Sequence, residues 1–580
     1  MDPQSLKEII ITKLKKAVEE SFGEKIVQEL DFELETPPES KMGDLGWACF
    51  KLAEKLKKKP PVVAKILAEK IESDEKLEKV INLGPYLNFF LNKKEWFSIT
   101  INEIIEKKEK FGQDQSGEGK TILIEFSSPN TNKPQHLGHL RNNFLGASLA
   151  NLFKNFGYKV IRANLINDRG IHICKSMLAY KKWGEGKTPE TERMKGDHFV
   201  GKFYNLFEEK LKENPNLLEE AQSLLKKWED GDQETWQLWQ KMNKWAMEGF
   251  YETYKKLGIE FDKWYYESET YKLGKKIVLE ALNKNLCYKR DDGAIEIDLS
   301  NYNLEKKVLI RSDGTSVYIT QDLGLAKLKY DEYKPNLSIY VVASEQNYHF
   351  KVLFKILEVF GFDWVKNCYH LSYGLVFLPE GRMKSREGKV VEIDELFQEV
   401  KKIAKGEILR REKDISPQEL EERSEKIALA SLKFFFLKFT PQEEIMYNPN
   451  KEISFEGATG PYLQYTYARI QGIVKKSKVQ SLKLETIDFS ALNTPEEIEI
   501  LKLLSSFPEV LKKSMLFYNP AFLANFLLTL AQKFNSFYHQ HQVLQAKKNI
   551  RQARISLITA IAQVLKNGLG ILGIETLDKM

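Results

Sequence analysis

The stretch TILIEFSSPNTNKPQHLGHLRNNFLGASLANLFKNFGYKVIRANLI, residues 121–166, decides the fold class. It consists of an apolar strand pattern (TILIEF), a polar loop with two histidines, a helix pattern (LRNNFLGASLANLFKNFG) and a second apolar strand pattern (YKVIRANLI). Unbroken apolar strands joined through a helix are typical of a βαβ unit whose parallel sheet is buried on both faces. The stretch therefore predicts an α/β domain.

The loop KPQHLGH, residues 133–139, lies after a predicted strand and opens a predicted helix, which is where open α/β sheets bind ligands. Free backbone N–H groups and the positive end of the helix dipole favour an anion there. His136 and His139 would project to one side of the first turn, and Gly138 leaves space between them. Imidazole donors and the charge of Lys133 suit phosphate oxygens during displacement at phosphorus. The loop predicts a site for the phosphates of a nucleotide.

Composition sets the broad class of the protein. A chain of 580 residues has room for three or four domains, and 42% hydrophobic with 29% charged residues is typical of a globular protein. The net charge of +6 permits a polyanionic partner without requiring one. The four cysteines form no CxxC pair, so we expect neither a disulfide framework nor a structural metal. No run approaches the roughly 18 apolar residues of a membrane span, so we expect a cytoplasmic protein with no membrane contact.

The pattern along the chain divides it into three regions. Residues 1–115 mix amphipathic helices, including WACFKLAEKLKKKPPVVAKILAEKI with a break at Pro-Pro, with short strands such as those in INLGPYLNFFLN. Residues 116–451 hold the predicted sheet, with later strands at SIYVVA and YHLSYGLVFL and a Trp-rich helical insertion at about 178–270. Residues 452–580, in which GPYLQYTYARIQGIVKK is the first helix, predict an all-helical bundle.

Two short motifs resemble a known family. HLGH resembles the HIGH signature of class I aminoacyl-tRNA synthetases, and GRMKSREGKVV, residues 381–391, stands where their KMSKS signature follows. Within that class, IEFSSPNTNKPQHLGHLRNNFLG is similar to the ExSSPNxxKxxHxGHxR block of arginyl-tRNA synthetases. WEDGDQETWQLWQKM, SVYITQDLGLA, EQNYHF and GATGPYLQYTYAR resemble further blocks of that family in the same order. The resemblance covers nearly the whole chain.

The resemblance implies both an architecture and an activity. It implies a Rossmann-like parallel-sheet catalytic domain with helical insertions at 116–451, an N-terminal α+β domain at 1–115 that recognises the tRNA D-loop, and a C-terminal all-α helical bundle at 452–580 that binds the anticodon. The implied reaction is ATP-dependent attachment of L-arginine to tRNA(Arg) through an arginyl-adenylate, with release of AMP and pyrophosphate. The expected partners are arginine, ATP with Mg²⁺ and tRNA(Arg), and the expected state is a monomer.

The second signature departs from its family pattern. Arg382, Met383, Lys384, Ser385 and Arg386 stand where K, M, S, K and S are expected, so the lysine that faces the departing pyrophosphate is replaced by a serine. Arginyl-tRNA synthetases commonly lack this lysine and carry one just before HIGH. Lys133 fits that role, which Lys384 or Arg386 would share. The catalytic residues implied are thus Lys133, His136, His139, Lys384 and Arg386, and those implied for ATP are His136, Gly138, His139, His349, Arg382, Met383, Lys384 and Ser385.

An arginine pocket needs particular chemistry. A guanidinium is planar, charged and forked, so its site wants carboxylates and neutral acceptors in matching geometry. The resemblance implies that Asp322 and Tyr318, one helical turn apart, grip the guanidinium. It further assigns the charged groups of the substrate to Glu125, and the α-amino and carboxylate ends to Gln346, Asn130 and Ser128. Such a pocket rejects lysine strongly, so we expect no editing site.

Two segments predict contacts with tRNA. GPYLNFF resembles the segment with which the family reads a base of the D-loop, through Tyr86 and Asn88. At the start of the bundle, aromatic and cationic side chains offer stacking surfaces for anticodon bases, although an aromatic row at helical spacing more often belongs to a core. These side chains are Tyr462, Tyr465, Tyr467 and Arg469.

Three other functions compete with this interpretation. A small-molecule nucleotidyltransferase also uses an HxGH loop, but the chain length and the RMKSREG loop disfavour it. A class I synthetase for another amino acid, most plausibly glutamate or glutamine, is the second. A non-catalytic tRNA-binding pseudo-synthetase is the third, and the intact Lys133, His136 and His139 argue against it.

Overall fold

Helices and strands alternate over most of the chain, and helices alone follow. The computed structural model describes residues 6–35, 37–378, 381–382, 391–448, 454, 456–477 and 484–580. The helices are α1 Leu6–Phe22, α2 Glu24–Gln28, α3 Phe50–Leu56, α4 Pro60–Lys70, α5 Lys93–Lys107, α6 Leu137–Asn155, α7 Ile171–Trp183, α8 Pro189–Glu192, α9 Gly196–Glu213, α10 Leu217–Glu229, α11 Gln233–Leu257, α12 Glu267–Thr270, α13 Leu273–Asn283, α14 Tyr318–Tyr333, α15 Asn347–Val359, α16 Ile393–Arg411, α17 Pro417–Leu437, α18 Gly460–Lys476, α19 Pro495–Leu516, α20 Ala521–Gln540 and α21 Lys548–Ile571. The strands are β1 Leu45–Ala48, β2 Leu77–Leu83, β3 Tyr86–Leu91, β4 Thr121–Glu125, β5 Lys159–Ile166, β6 Lys263–Tyr266, β7 Tyr288–Lys289, β8 Ile295–Ile297, β9 Lys307–Ile310, β10 Leu337–Ala343, β11 Cys368–Tyr373, β12 Val376–Leu378, β13 Gly381–Arg382 and β14 Ile445–Met446.

The first region is a small antiparallel sheet packed against helices. Strand β3 lies between β1 and β2, and β2 and β3 form a hairpin across Gly84, whose φ of +59° suits glycine. Pro60 occupies the first turn of α4, where a missing N–H costs nothing. The helical prediction was wrong for Trp47 and Ala48, which belong to β1. Pairing of β1 with β3 and stacking of Trp47 on Phe32, with ring centroids 5.6 Å apart, override the local spacing.

A five-stranded parallel sheet forms the centre of the molecule. Its order is β11-β10-β4-β5-β6, all four pairings are parallel, and α6 connects β4 to β5. The middle residues of β4 are fully buried, as its apolar run predicts. Helix α6 approaches the sheet closely because residue 146 is glycine: a Cβ there would lie 2.2 Å from Cγ of Phe126. The predicted α/β class is confirmed.

The predicted strand YHLSYGLVFL is in fact two strands. β11 ends at Tyr373, and β12 begins at Val376 in a different sheet, where it pairs with β13 and β14. The break falls at Gly374, which passes so close to another segment that a Cβ would lie 2.4 Å from the carbonyl oxygen of Glu443. Apolar content alone does not reveal such a crossing.

Helices surround the sheet and extend beyond it. Helices α7 to α11 stand between β5 and β6 and pack around a buried aromatic group of Tyr180, Phe199, Phe203 and Trp245. Near the C-terminus α17 packs on α18, α19 on α20, and α18 and α20 on α21. Helix α5 of the first region contacts α19 and α21. The predicted fold class is confirmed as a parallel-sheet domain flanked by an α+β and a helical region, whereas the exact domain boundaries stay predictions. Within the described ranges, no helix is long and apolar enough to cross a membrane.

Candidate active site

The two histidines of HLGH cap the helix that they begin. His136 is the N-cap of α6, and its Nδ1 accepts a hydrogen bond from the backbone N–H of Gly138 at 3.2 Å. Nδ1 of His139 accepts in turn from the backbone N–H of His136 at 3.1 Å. The ring centroids are 4.1 Å apart. The imidazoles thus replace the Ser and Glu of an ordinary capping box, and the loop sequence fixes both rings on one side of the helix start.

Both rings are neutral. Burial, with the nearby charge of Lys133, lowers the pKa of His136 to about 4. Burial also holds the pKa of His139 well below its ordinary range, and it lowers the pKa of Lys133. Because each Nδ1 accepts a backbone hydrogen bond, the single proton of each ring is assigned to Nε2. The helix start therefore presents two N–H donors that need no change of protonation to bind phosphate oxygens.

The backbone before HLGH is strained at two serines. Ser127 and Ser128 have φ of 78° and 48°, which non-glycine residues rarely adopt. Asn142 accepts from the N–H of Ser127 at 2.6 Å, and Asn164 accepts from the N–H of Ser128 at 3.0 Å. The hydroxyl of the buried Tyr254 lies 2.6 Å from Ser127 Oγ. Sequence reasoning missed these supports, although polar residues inside an apolar helix and an apolar strand could have indicated Asn142 and Asn164.

The segment after the second signature is tied to HLGH. Leu137 donates its backbone N–H to the carbonyl of Val391 at 3.1 Å, and Ile393 donates to the carbonyl of Gln135 at 3.0 Å. Asp394 Oδ2 then meets Nζ of Lys195 at 2.6 Å, which anchors the segment to the helical insertion. Met383, Lys384, Ser385 and Arg386 lie outside the described residues, and only the backbone of Arg382, in β13, is described.

A second group of predicted residues meets at the first turn of α14. Tyr318 is exposed there, and Asp322 lies one turn further along. Nε2 of His349 is 2.7 Å from Oδ2 of Asp322, and its ring centroid is 5.0 Å from that of Tyr318. His349, which the resemblance assigns to ATP, thus contacts the expected arginine pocket. Its nucleotide role stays a prediction.

The other predicted arginine ligands differ in their surroundings. Glu125, at the end of β4, is buried, and its Oε2 binds Nζ of Lys329 at 2.6 Å. Asn130 and Gln346 are exposed, and Asn130 forms a β-bridge with Asn167 in the loop after β5. No local pattern indicates that the carboxylate of Glu125 has a buried protein partner 204 positions away.

An acidic residue that sequence reasoning missed adjoins this group. Glu267 begins α12, directly after β6, and burial raises its pKa to about 7. Arg169 opposes this shift of the pKa, and Asp168 and Asp322 add to it. An acid at the end of a parallel strand, in WYYESET, was the available indication. The pocket therefore holds two neighbouring carboxylates, those of Glu267 and Asp322.

Comparison with known proteins agrees with this arrangement. Residues 100–447 match the family described as tRNA synthetases class I (R), catalytic domain; residues 4–91 match the arginyl tRNA synthetase N terminal domain; and residues 463–580 match the DALR anticodon binding domain. Arginine–tRNA ligase of Treponema denticola is 43% identical over 569 residues, which are 96% of each chain. The chain belongs to the arginyl-tRNA synthetase family.

Further relatives extend over the same length. Arginine–tRNA ligase of Borrelia hermsii is 42% identical over 100% of this chain and 99% of its own. The structure of Thermus thermophilus arginyl-tRNA synthetase superposes with a TM-score of 0.81 at 26% identity and covers 99% of this chain and 100% of its own. Membership of this synthetase family excludes the small-molecule nucleotidyltransferase.

Two surfaces outside the sheet bear on the tRNA contacts that the family resemblance implied. Tyr86 is 41% exposed and meets the ring of Phe50, itself 49% exposed, edge to face at 5.7 Å. Asn88 is only 4% exposed, so it offers little surface to a partner in this conformation. Phe50 was not singled out in the sequence, because a phenylalanine at a helix start carries no sign of exposure.

The helical region contains a cleft of about 650 Å³. Tyr462, Tyr465 and Arg469 line it, together with Arg411 and others. Tyr467 is buried in the core instead, so its predicted role in base stacking was wrong. In a synthetase of this family, such an aromatic and cationic cleft suits unstacked bases.

Proposed function

We propose that this chain joins L-arginine to tRNA(Arg) through an arginyl-adenylate, with release of pyrophosphate and then AMP. One observation carries the proposal: the neutral pair of His136 and His139 follows β4, and His349, which pairs with Asp322, follows the neighbouring strand β10 of the same parallel sheet. Near full-length similarity to arginine–tRNA ligases supports it. A cytoplasmic, monomeric enzyme remains our expectation.

The chemistry needs no general base from the protein. The arginine carboxylate, already ionised, attacks the α-phosphorus of ATP, and the bond from that phosphorus to the pyrophosphate oxygen breaks. A ribose hydroxyl at the tRNA 3′ end then attacks the carbonyl carbon, and AMP leaves. The Nε2–H groups of His136 and His139 and the ammonium of Lys133 stabilise the phosphate oxygens as charge develops. We place Gly138, Arg382, Met383, Lys384, Ser385 and Arg386 around the same nucleotide.

Mg²⁺ would enter with the nucleotide. Neutral imidazoles and an ammonium surround the described helix start, and these groups suit phosphate oxygens rather than Mg²⁺, which prefers oxygen ligands. The chain's own residues therefore hold the phosphates, and the ion would be held mainly by ATP.

We assign the amino-acid end to the acidic pocket. Asp322 and Tyr318 bind the guanidinium, and Ser128, Asn130 and Gln346 orient the α-amino and carboxylate groups. Glu125 contributes to the field at the charged groups of the substrate. Lysine lacks the forked donors that these acceptors match, so we expect rejection without editing.

We assign tRNA contacts to both ends of the chain. The N-terminal region, residues 1–115, would read the D-loop through Tyr86, with Asn88 beneath it. The bundle, residues 452–580, would take anticodon bases into the cleft lined by Tyr465 and Arg469. The catalytic region, residues 116–451, would then receive the 3′ end.

ATP–pyrophosphate exchange tests the proposal. Purified protein is assayed with arginine, lysine, glutamate or glutamine, each with and without tRNA. We expect exchange with arginine when tRNA(Arg) is present. Exchange with glutamate or glutamine instead would support the other class I specificity, and tRNA binding without exchange under any condition would support the pseudo-synthetase.

Variants of one histidine test the assigned chemistry. His139→Ala should lower kcat by about 10² to 10³, with a small effect on arginine affinity, because it removes a donor to developing charge. His139→Gln, which can place an N–H near the lost Nε2, should recover part of the rate. His541→Ala is the matched control outside the site, and its kcat should equal that of the unmodified protein. Equal losses of kcat and arginine affinity in His139→Ala would show that the residue is structural.

A further inference from the structure

Arg169 lies beside the acidic pocket, in an aromatic cage formed by Tyr271 and Trp228. Arg169 lies in the loop after β5, and its side chain is 9% exposed. Its guanidinium carbon is 4.1 Å from the ring centroid of Tyr271 and 5.5 Å from that of Trp228. Nη2 binds Oε1 of Glu229 at 2.6 Å. Two rings and one carboxylate thus fix the plane of this guanidinium.

The free edge of the same guanidinium faces the pocket. Nη1 of Arg169 is 4.0 Å from Oε1 of Glu267. The side-chain amide of Gln321, in the orientation that satisfies both of its neighbours, accepts from Nη1 at 3.2 Å and donates to Oε1 of Glu267 at 2.8 Å. Gln321 immediately precedes Asp322 in α14. Arg169 therefore reaches the carboxylate of Glu267 both directly and through one amide.

The charged groups around Glu267 explain why its contact with Arg169 affects its ionisation. Asp168 faces it from the loop after β5, and Asp322 and Tyr318 face it from α14, with His349 paired to Asp322. Arg169 lowers the pKa of the Glu267 carboxylate, whereas burial, Asp168 and Asp322 raise it. A guanidinium pocket needs its carboxylates ionised, and two neighbouring, half-buried acids resist this.

We infer that Arg169, which contacts no substrate itself, is a positioning residue that holds Glu267 as the second carboxylate of the arginine pocket beside Asp322. The inference rests on the proposed function. The cage and the pair with Glu229 keep Arg169 from turning into the pocket, where its charge would repel the substrate. Arg169 thus supports binding of the substrate guanidinium indirectly, by orienting the carboxylate of Glu267.

The test is the affinity for arginine as a function of pH. Calorimetric dissociation constants for arginine, with tRNA present, are measured from pH 6 to 9 for the unmodified protein, Arg169→Gln and Arg169→Lys. Ionised Glu267 binds the guanidinium, so affinity should weaken as pH falls through its pKa, about 7 in the unmodified protein. In Arg169→Gln this midpoint should rise by about one pH unit, and affinity at pH 7 should fall roughly fivefold, because the ionised fraction of Glu267 falls from about one half to about one eleventh. Arg169→Lys keeps the positive charge, so the midpoint of its pH profile should stay close to that of the unmodified protein.

Two controls separate positioning from folding. Arg162→Gln removes another ion-paired arginine, in β5 itself, and should leave the midpoint unchanged. In a Glu267→Gln background, Arg169→Gln should add no further pH shift, because the titrating acid is gone. A merely structural role would lower the melting temperature and kcat in Arg169→Gln without moving the midpoint.

These measurements distinguish a failure of the proposed function from a failure of the role inferred for Arg169. If the unmodified protein neither binds nor activates arginine, the proposed function fails. If it does both and Arg169→Gln keeps the original midpoint, only the role of Arg169 is overturned. Should Arg169→Gln not fold, Glu229→Gln loosens the same guanidinium from its exposed side, and a shift of the midpoint in that variant supports the inference while an unchanged midpoint overturns it.

Discussion

Replacing Lys329 by methionine should destabilise the central sheet severely. Lys329 Nζ and Glu125 Oε2 are 2.6 Å apart, and the two side chains are only 3% and 8% exposed. Nζ also lies 4.3 Å from the ring centroid of Tyr340, which is opposite Glu125 in the β4–β10 pairing. Removing one member of a buried ion pair leaves an uncompensated charge and costs about 3–5 kcal/mol. That equals roughly a hundredfold to a several-thousandfold change in the unfolding equilibrium.

The assay is a double-variant cycle of Lys329→Met, Glu125→Gln and the two together. Because a multi-domain chain does not unfold in one step, the quantity compared is the rate of irreversible heat inactivation of arginine activation. Replacing both partners removes the buried charges together, so the double variant should recover most of the loss of Lys329→Met. We expect a coupling free energy of about 3 kcal/mol.

The same three proteins separate a structural from a binding role of Glu125. If Glu125 also acts on the substrate, the double variant regains stability yet keeps a raised KM for arginine. Two results would refute the reasoning about stability: a Lys329→Met protein that inactivates at the original rate, or a double variant whose loss equals the sum of the single losses.

Three further predictions concern packing, buried hydrogen bonds and pH. Gly146→Ala should destabilise the folded state by about 1–3 kcal/mol and lower the melting temperature, because its Cβ would lie 2.2 Å from Cγ of Phe126. Gly406→Ala is the control: its Cβ would meet open space, so the variant should be neutral or stabilising. Arg141→Met removes the side-chain donors to the carbonyls of Gly374, Thr440 and Pro441, of which Thr440 and Pro441 keep backbone donors. The loss at the carbonyl of Gly374 should cost about 1–3 kcal/mol in heat inactivation, and wild-type behaviour would contradict this. Burial disfavours the charged form of His198, but Asp394 and Glu392 outweigh it and raise its pKa to about 10. Its stabilisation is therefore full below pH 6.5 and lost as pH rises to about 10, so melting temperatures of His198→Gln and the unmodified protein should converge over that range.

The parts of the fold that follow local rules were predictable from the sequence. The apolar runs of β4 and β5 and the helix between them specify the parallel sheet, since each local pattern agrees with the global arrangement. Tyr318 and Asp322 share a helical turn as their spacing predicts. His136 and His139 lie together because a helix begins between them.

What the sequence could not reveal depends on contacts between distant segments. No periodicity shows that Trp47 pairs into a sheet with β3, that Gly374 ends a strand against Glu443, or that Lys329 reaches Glu125. Glu267 was missed for the same reason, since its environment is made by Arg169 and by α14. Side chains whose role is fixed by a partner far along the chain have no local pattern of their own.

In the proposed mechanism, a capping role and a chemical role fall on the same two residues of the HLGH loop. A backbone N–H bound to Nδ1 of each ring fixes the tautomer, and burial keeps each ring neutral, so both Nε2–H donors are in place before a nucleotide arrives. Donors that need no reorientation stabilise developing charge most effectively. Aspartate at these positions would cap the helix as well but has no donor, and the shorter serine would keep its single hydroxyl close to the backbone instead of extending an N–H as far as Nε2. In the mechanism that we propose, the imidazoles of His136 and His139 therefore serve the chemistry, and the helix cap is the means by which the fold orients them.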